Sequence, residues 1–346
     1  MRESVALPSQ TVPVQSTVRY RAPIWALLLL APFISEVLSG STRLSVLFVY
    51  VPEVMVWGVG ALLCRELVRH WRAGGASLLL LGLALAVAEE FLIQQTSLAP
   101  LPFAGSNAGY GRAWGVNFVY LLFMLGFESA WVVAVPVQVT ELMFPAHSRA
   151  PWLRKGGLIV SCLVFLLGCR IAWYGWTQQA RPRLGAAPYH PPAGLLIVGI
   201  ASILALVGLA YLLRGLGQSD ANDLRGTAPA WVAGVSAFLA GGAWWVIITQ
   251  LFVPKPIQPW WLVMAAGIAW LALTFVLFTA WSSRPTWRPI HRWSAAFGAT
   301  LGCMISPYLS ASSWPRADFV AIVIFGVGGI AMFLLLGRRV ARAPGA

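Results

Sequence analysis

Apolar stretches of about 20 residues, each long enough to cross a hydrocarbon core as a helix, recur from residue 22 to residue 337. They predict ten spans, at 22–39, 45–65, 76–96, 118–140, 157–175, 193–213, 231–252, 260–281, 293–312 and 318–337. Pro307 and several serines dilute the ninth. Alternating ten-residue segments, the mark of a transmembrane β-barrel, are absent. The expected fold is an all-α polytopic transmembrane helix bundle of about ten spans. Residues 1–21 are polar and lack the short apolar core and small-residue site of a cleaved signal, so a disordered tail is expected there.

Charge tests this division independently. The tail, the second, fourth, sixth and eighth loops and the C-terminus hold seventeen Arg and Lys; the alternate loops hold six, and Arg170 lies within a span. That alternation predicts both termini on the cytoplasmic side of a bacterial inner membrane. Residues 22–175 then form a five-helix half, 176–192 an outer loop, 193–337 a second, more apolar five-helix half, and 338–346 a basic cytoplasmic end.

Composition agrees. Of 346 residues 59% are hydrophobic and 10% charged, where soluble chains carry roughly 25% charged residues. The net charge of +13 is spread between apolar spans, so it reads as a topology signal and as contacts to membrane lipids, with no nucleic acid partner expected. Cys64, Cys162, Cys169 and Cys303 all fall within spans without a CxxC or a nearby histidine, and read as small buried core thiols. The four histidines show no ligand spacing, and neither a metal nor a cofactor is expected. Tryptophans near the boundaries, Trp152 and Trp293 among them, read as an aromatic belt. Gly298-xxx-Gly302 predicts close approach of a neighbouring helix.

The chemistry sits where charge is costly. Glu36, Glu53, Glu89, Glu90 and Glu128 lie inside apolar runs, at about 2.5–3.5 kcal/mol each on insertion scales. At 1.5 Å per residue, Glu36, Glu89, Glu90 and Arg170 lie about 20 Å up their spans and Glu53 about 12 Å down its own. All fall near one level in the outer half, with Glu128 at that level or deeper. Glu90 and Gln94 share a helix face, expected to line a polar site, while Glu89 is expected to turn toward a neighbouring helix. Pro32, Pro52 and Pro136 lie near these glutamates and can bend their helices to open a cavity. Arg170 is the one mid-span cation available to neutralise the layer. Two readings stand: interhelical hydrogen bonding that pins the bundle, or a proton- or cation-binding site. Glu66 beside Arg65 and Arg69, and Glu141 near Arg149, read as solvated ion pairs, and Asp220, Asp223 and Asp318 as loop residues.

Two resemblances follow from these residues. Glu89-Glu90-Phe91-Leu92-Ile93-Gln94 resembles the EExxxR motif of the CPBP (Abi-type) glutamic intramembrane proteases, and Phe127-Glu128-Ser129-Ala130-Trp131 their FxxxH. The likeness implies Glu89 or Glu90 as the base that activates water for peptide hydrolysis. The chain departs from the pattern at Gln94, at Trp131 and in having no mid-span HxxxN. Ser35–Thr42, the Glu89-Glu90 helix and Thr140–Pro145 together resemble a family of uncharacterised bacterial multi-spanning proteins, which implies architecture and no activity. Ten spans also suit the five-plus-five inverted plan of drug/metabolite-type transporters, a topological analogy. The expected function is binding or transport of a small solute linked to protons or another cation, with Glu36, Glu53, Glu89, Glu90, Gln94, Glu128 and Arg170 at the site. The alternatives are such a protease and a non-catalytic assembly or scaffold protein.

Overall fold

The computed structural model describes residues 21–102, 107, 109–216, 226–251, 253, 255–310 and 313–343. The tail expected over 1–21, Arg21 apart, lies outside the described residues, as do Asp220 and Asp223.

Long leucine- and alanine-rich runs make helices because, away from water, each backbone N–H must find its acceptor within its own segment. The chain forms α1 (Arg21–Pro32, continued by Phe33–Val37), α2 (Leu44–His70), α3 (Gly75–Ile93), α4 (Phe118–Met143) and α5 (Lys155–Arg183). It goes on with α6 (Ala193–Leu212), α7 (Ala230–Thr249), α8 (Trp260–Ser282), α9 (Pro289–Ser310) and α10 (Arg316–Arg342). Eight of these are long and apolar enough to cross a membrane, which makes this a membrane protein. The two outside that set are α1, a 12-residue helix plus a 5-residue extension, and α9, diluted by His291, Arg292 and several hydroxyl residues.

Local chemistry sets the helix starts. Pro192, Pro229, Pro259 and Pro315 immediately precede α6, α7, α8 and α10, where a residue with no N–H to give cannot extend the helix backwards. Asn117 opens α4, its side-chain oxygen accepting from Tyr120 N at 2.9 Å. A two-strand hairpin, β1 (Arg112–Ala113) and β2 (Val116–Asn117), precedes it. Its turn residues Trp114 and Gly115 both have positive φ, 48° and 82°, the combination that matches strand twist in a two-residue hairpin.

Helix α3 is the centre of the bundle. Its most apolar window is 78% buried, against 11% for α5, α6 and α8, whose aliphatic faces point outward. Those outward faces belong to lipid, which corrects the expectation for Cys162: it is exposed on α5, whereas Cys64 and Cys303 are buried. One core joins Ile34, Phe127 and Trp131 to Trp244, Cys303 and Phe333, so helices from before and after residue 176 are packed together. Helices α7 and α9 meet through glycine. A Cβ on Gly298 would lie 2.0 Å from Gly234 O, and one on Gly302 2.7 Å from Phe238 O, the close approach that the GxxxG spacing predicts.

Candidate functional site

Five helical stretches widen to the π form: Phe33–Val37, Val54–Gly58, Glu89–Ile93, Glu128–Ala134 and Tyr174–Ala180. Such turns account for well under 1% of residues in general and favour functional positions. Here four of the five carry or adjoin the glutamates of the apolar runs. Glu36 lies inside the first, Glu53 immediately precedes the second, Glu89 and Glu90 open the third, and Glu128 opens the fourth.

Proline and glycine explain part of this. Pro32 has no N–H to offer Leu28 O four residues back, and Gly58 is seated against that carbonyl, since a Cβ there would lie 2.3 Å from the oxygen. Tyr50 Oη donates to the next carbonyl, Leu29 O, at 2.6 Å. Helices α1 and α2 are thereby drawn together at the level of Glu36 and Glu53. Gly82 takes the Ser129 backbone in the same way, a Cβ there falling 2.8 Å from Ser129 Cα, and brings α4 with Glu128 against α3.

The result is a group of acidic side chains on adjoining segments: Phe33–Val37, Val54–Gly58 and Gly75–Ala88 all pack against Glu128–Ala134. Glu53, Glu89, Glu90 and Glu128 are buried, and Glu36 is half-buried.

Few donors meet them. Thr42 Oγ1 donates to Glu53 Oε1, and Ser97 gives its N–H (2.7 Å) and its hydroxyl (2.5 Å) to Glu90 Oε2. Glu53 Oε2, Glu90 Oε1 and both oxygens of Glu89 and of Glu128 are buried without a hydrogen-bond partner. Gln95 Oε1 is in the same state, on a residue held at φ 59°. Side chains rarely take that backbone region, and such strain clusters at functional sites.

A folded segment covers the row at the Ser97 end. Ser97 O accepts from Asn117 N at 2.7 Å. Arg112 Nη2 donates to Leu98 O at 2.5 Å, and Arg181 Nη1 to Pro100 O at 2.9 Å.

Glu89 is buried at the opening of a π turn. Two expectations change. Arg170 is exposed on α5, stacked on Trp173 and Tyr174 at 4.6 and 5.6 Å, and does not reach the layer. A groove of about 570 Å³ does exist, but Leu44, Arg316, Ala317, Val320, Ala321 and Ile324 line it, and none of the glutamates does. Among the described residues no three His, Cys, Asp or Glu side chains converge as metal ligands. Gln94 is half-buried. Trp131, at the histidine position of the protease resemblance, donates Nε1–H to Ala299 O at 2.9 Å and stacks on Phe127.

A second polar layer lies at the opposite end of the helices. Glu141 is thirteen residues beyond Glu128 on α4, a rise of roughly 20 Å. Arg65, Glu66 and Glu141 are fully buried, so they are not the solvated pairs expected from sequence. Arg65 donates to Glu66 Oε1 (2.7 Å), to Glu141 Oε1 (3.2 Å) and to the carbonyls of His147, Ser148 and Ala150. Its guanidinium also lies 3.4 Å from the ring centre of Trp152, which is therefore a buried partner and no belt residue. Glu66 accepts from Trp152 N and Leu153 N. Arg69 forks onto both oxygens of Glu141, and Arg292 from α9 reaches Gln138 Oε1 (2.6 Å) and Glu141 Oε2 (3.1 Å). Asp318 is likewise buried and no loop residue: on the first turn of α10 it accepts from Ser45 N and Ser45 Oγ, both at 2.9 Å. Trp293 Nε1 donates to Phe333 O at 2.8 Å, a helix-packing role.

The two layers differ in kind. At the Arg65 end every carboxylate has several donors, which is what a structural tie requires. At the Glu89 end most carboxylate oxygens have none. Comparison with family models, with characterised proteins and with solved structures returned no match for this chain.

Proposed function

We propose that this chain is a multi-pass protein of a bacterial cytoplasmic membrane that binds or carries a small solute linked to protons or another cation at the Glu36–Glu53–Glu89–Glu90–Glu128 row. In this reading ten helices cross the membrane, both termini are cytoplasmic, and the row occupies the outer half. The observation that carries it is the set of unpartnered atoms in the row, of which Glu53, Glu89, Glu90, Gln95 and Glu128 contribute only acceptors. Buried polar atoms are nearly always paired, and an unpaired one costs about 1–3 kcal/mol. Five carboxylates without a cation cannot all hold charge in a low-dielectric bundle. What completes an acceptor-only site is a donor: a proton on a carboxyl oxygen, or a cation.

The mechanism is proton loading at the unpartnered carboxyls of Glu89 and Glu128, while Ser97 and Thr42 hold Glu90 and Glu53 under loops. Loading and release would accompany movement of those loops, with the π turns as the deformable joints.

Proteoliposomes enclosing a pH-sensitive dye test this. A solute that drives proton entry with the wild type should fail to do so with Glu89→Gln and with Glu128→Gln. Solute-driven proton entry at the wild-type rate in both variants would remove the row from the coupling.

A further inference from the structure

The Arg65 end carries an unbalanced charge. Three guanidiniums, Arg65, Arg69 and Arg292, face two carboxylates, Glu66 and Glu141, and Arg149 adds its charge beside Arg292.

The geometry of the excess is specific. Arg69 spends Nε and Nη2 on Glu141, and Arg292 spends Nε on Gln138 and Nη2 on Glu141. Both arginines therefore hang on the same carboxylate, with Glu141 Oε2 common to them, and each keeps Nη1 for an outside partner. Their side chains are 23% and 26% exposed, while Glu141 beneath them is 1% exposed. Arg149 lies exposed in the neighbouring loop. All three stand where α2 ends at His70, α4 ends at Met143 and α9 begins at Pro289, and charge at the ends of spanning helices is where anionic headgroups are met.

We infer that Arg69 and Arg292, fixed by Glu141 and joined by Arg149, form a clamp for a phosphate group. Its source is an anionic phospholipid of the adjoining leaflet or a soluble phosphate ester. Each Nη1 can give a charge-assisted hydrogen bond to a phosphate oxygen, and an arginine oriented beforehand loses less side-chain entropy on binding. Glu141 does that orienting from below and also keeps the two guanidiniums from repelling each other apart. This inference does not depend on the carboxylate row.

The test uses the full chain in detergent, with phosphatidylglycerol, phosphatidylcholine or glycerol phosphate added. Bound lipid is counted by native mass spectrometry and the unfolding midpoint is recorded. The wild type should retain phosphatidylglycerol over phosphatidylcholine. Arg149→Gln, which stands outside the bonds to Glu141 and so spares the fold, should lower that retention about fivefold. Arg292→Lys keeps the charge but cannot hold Gln138 and Glu141 while presenting a further donor outward, and should lower it as well. A midpoint raised equally by glycerol phosphate would support the clamp and assign it a soluble ligand. Equal retention of the two lipids with no effect of glycerol phosphate, or wild-type phosphatidylglycerol retention by both variants, would overturn the clamp.

Discussion

Glu128 and Glu141 lie on one helix, yet their substitution by glutamine should have opposite consequences. Glu128 has no donor on either oxygen, so Glu128→Gln removes a buried ionisable group and breaks no hydrogen bond. Its unfolding midpoint should equal or exceed that of the wild type, with a flatter dependence on pH, because a group that can take up a proton has been lost. Glu141 is held by Arg65, Arg69 and Arg292, so Glu141→Gln leaves three guanidiniums under-compensated. A loss of about 3–5 kcal/mol is expected. Thermal unfolding of the two variants side by side checks both, and a destabilised Glu128→Gln would return the outer row to a packing role. Sequence revealed these residues unevenly. An acid in an apolar run stands out on its own, which is why the glutamate row was legible. Arg65, Glu66 and Glu141 sit near helix ends, where charge is ordinary, and only the fold of residues 144–154 over them makes them buried.

At the scale of the helix, the site depends on glycines that admit a neighbouring backbone. Gly58→Ala would drive a methyl into Leu28 O, 2.3 Å from the ideal Cβ position. A cost of about 1–3 kcal/mol is expected, together with a disturbed Glu36–Glu53 pair. Gly75→Ala meets nothing within 4 Å on α3 and should be neutral or stabilising by up to about 1 kcal/mol. If the two alanine variants unfold alike, the α1–α2 contact does not set the spacing of the row. Helix positions were readable from the sequence because hydrophobic length is a local property. Facing directions were not. Depth along α5 placed Arg170 at the right level, but its azimuth follows from which side of α5 meets α2, and that side is opposite. The π turns were likewise invisible, since a π turn leaves no mark in the hydrophobic pattern.

Taken whole, the molecule has one polar layer at each end of a packed apolar middle, and its orientation is open to direct measurement. The proposed topology places Trp114, 88% exposed on the hairpin, outside, and Arg154, exposed ahead of α5, inside. In intact cells a membrane-impermeant maleimide should label Trp114→Cys and spare Arg154→Cys until the membrane is opened. The reverse pattern would invert the bundle and place the glutamate row in the inner half. The sequence alone determined that this is a helical membrane protein, roughly where each helix runs, that α7 and α9 offer a small-residue contact, and that five acids lie within apolar runs. Each of these is a property of neighbouring residues, set by the need to satisfy backbone groups and bury apolar surface within one segment. Tertiary structure alone decided which acids converge, that Arg170 faces away, and that Arg65, Glu66 and Glu141 close into a buried network with Arg292. Those outcomes depend on contacts between residues as far apart as 141 and 292, and on the rotation of each helix about its axis, which packing against neighbours selects.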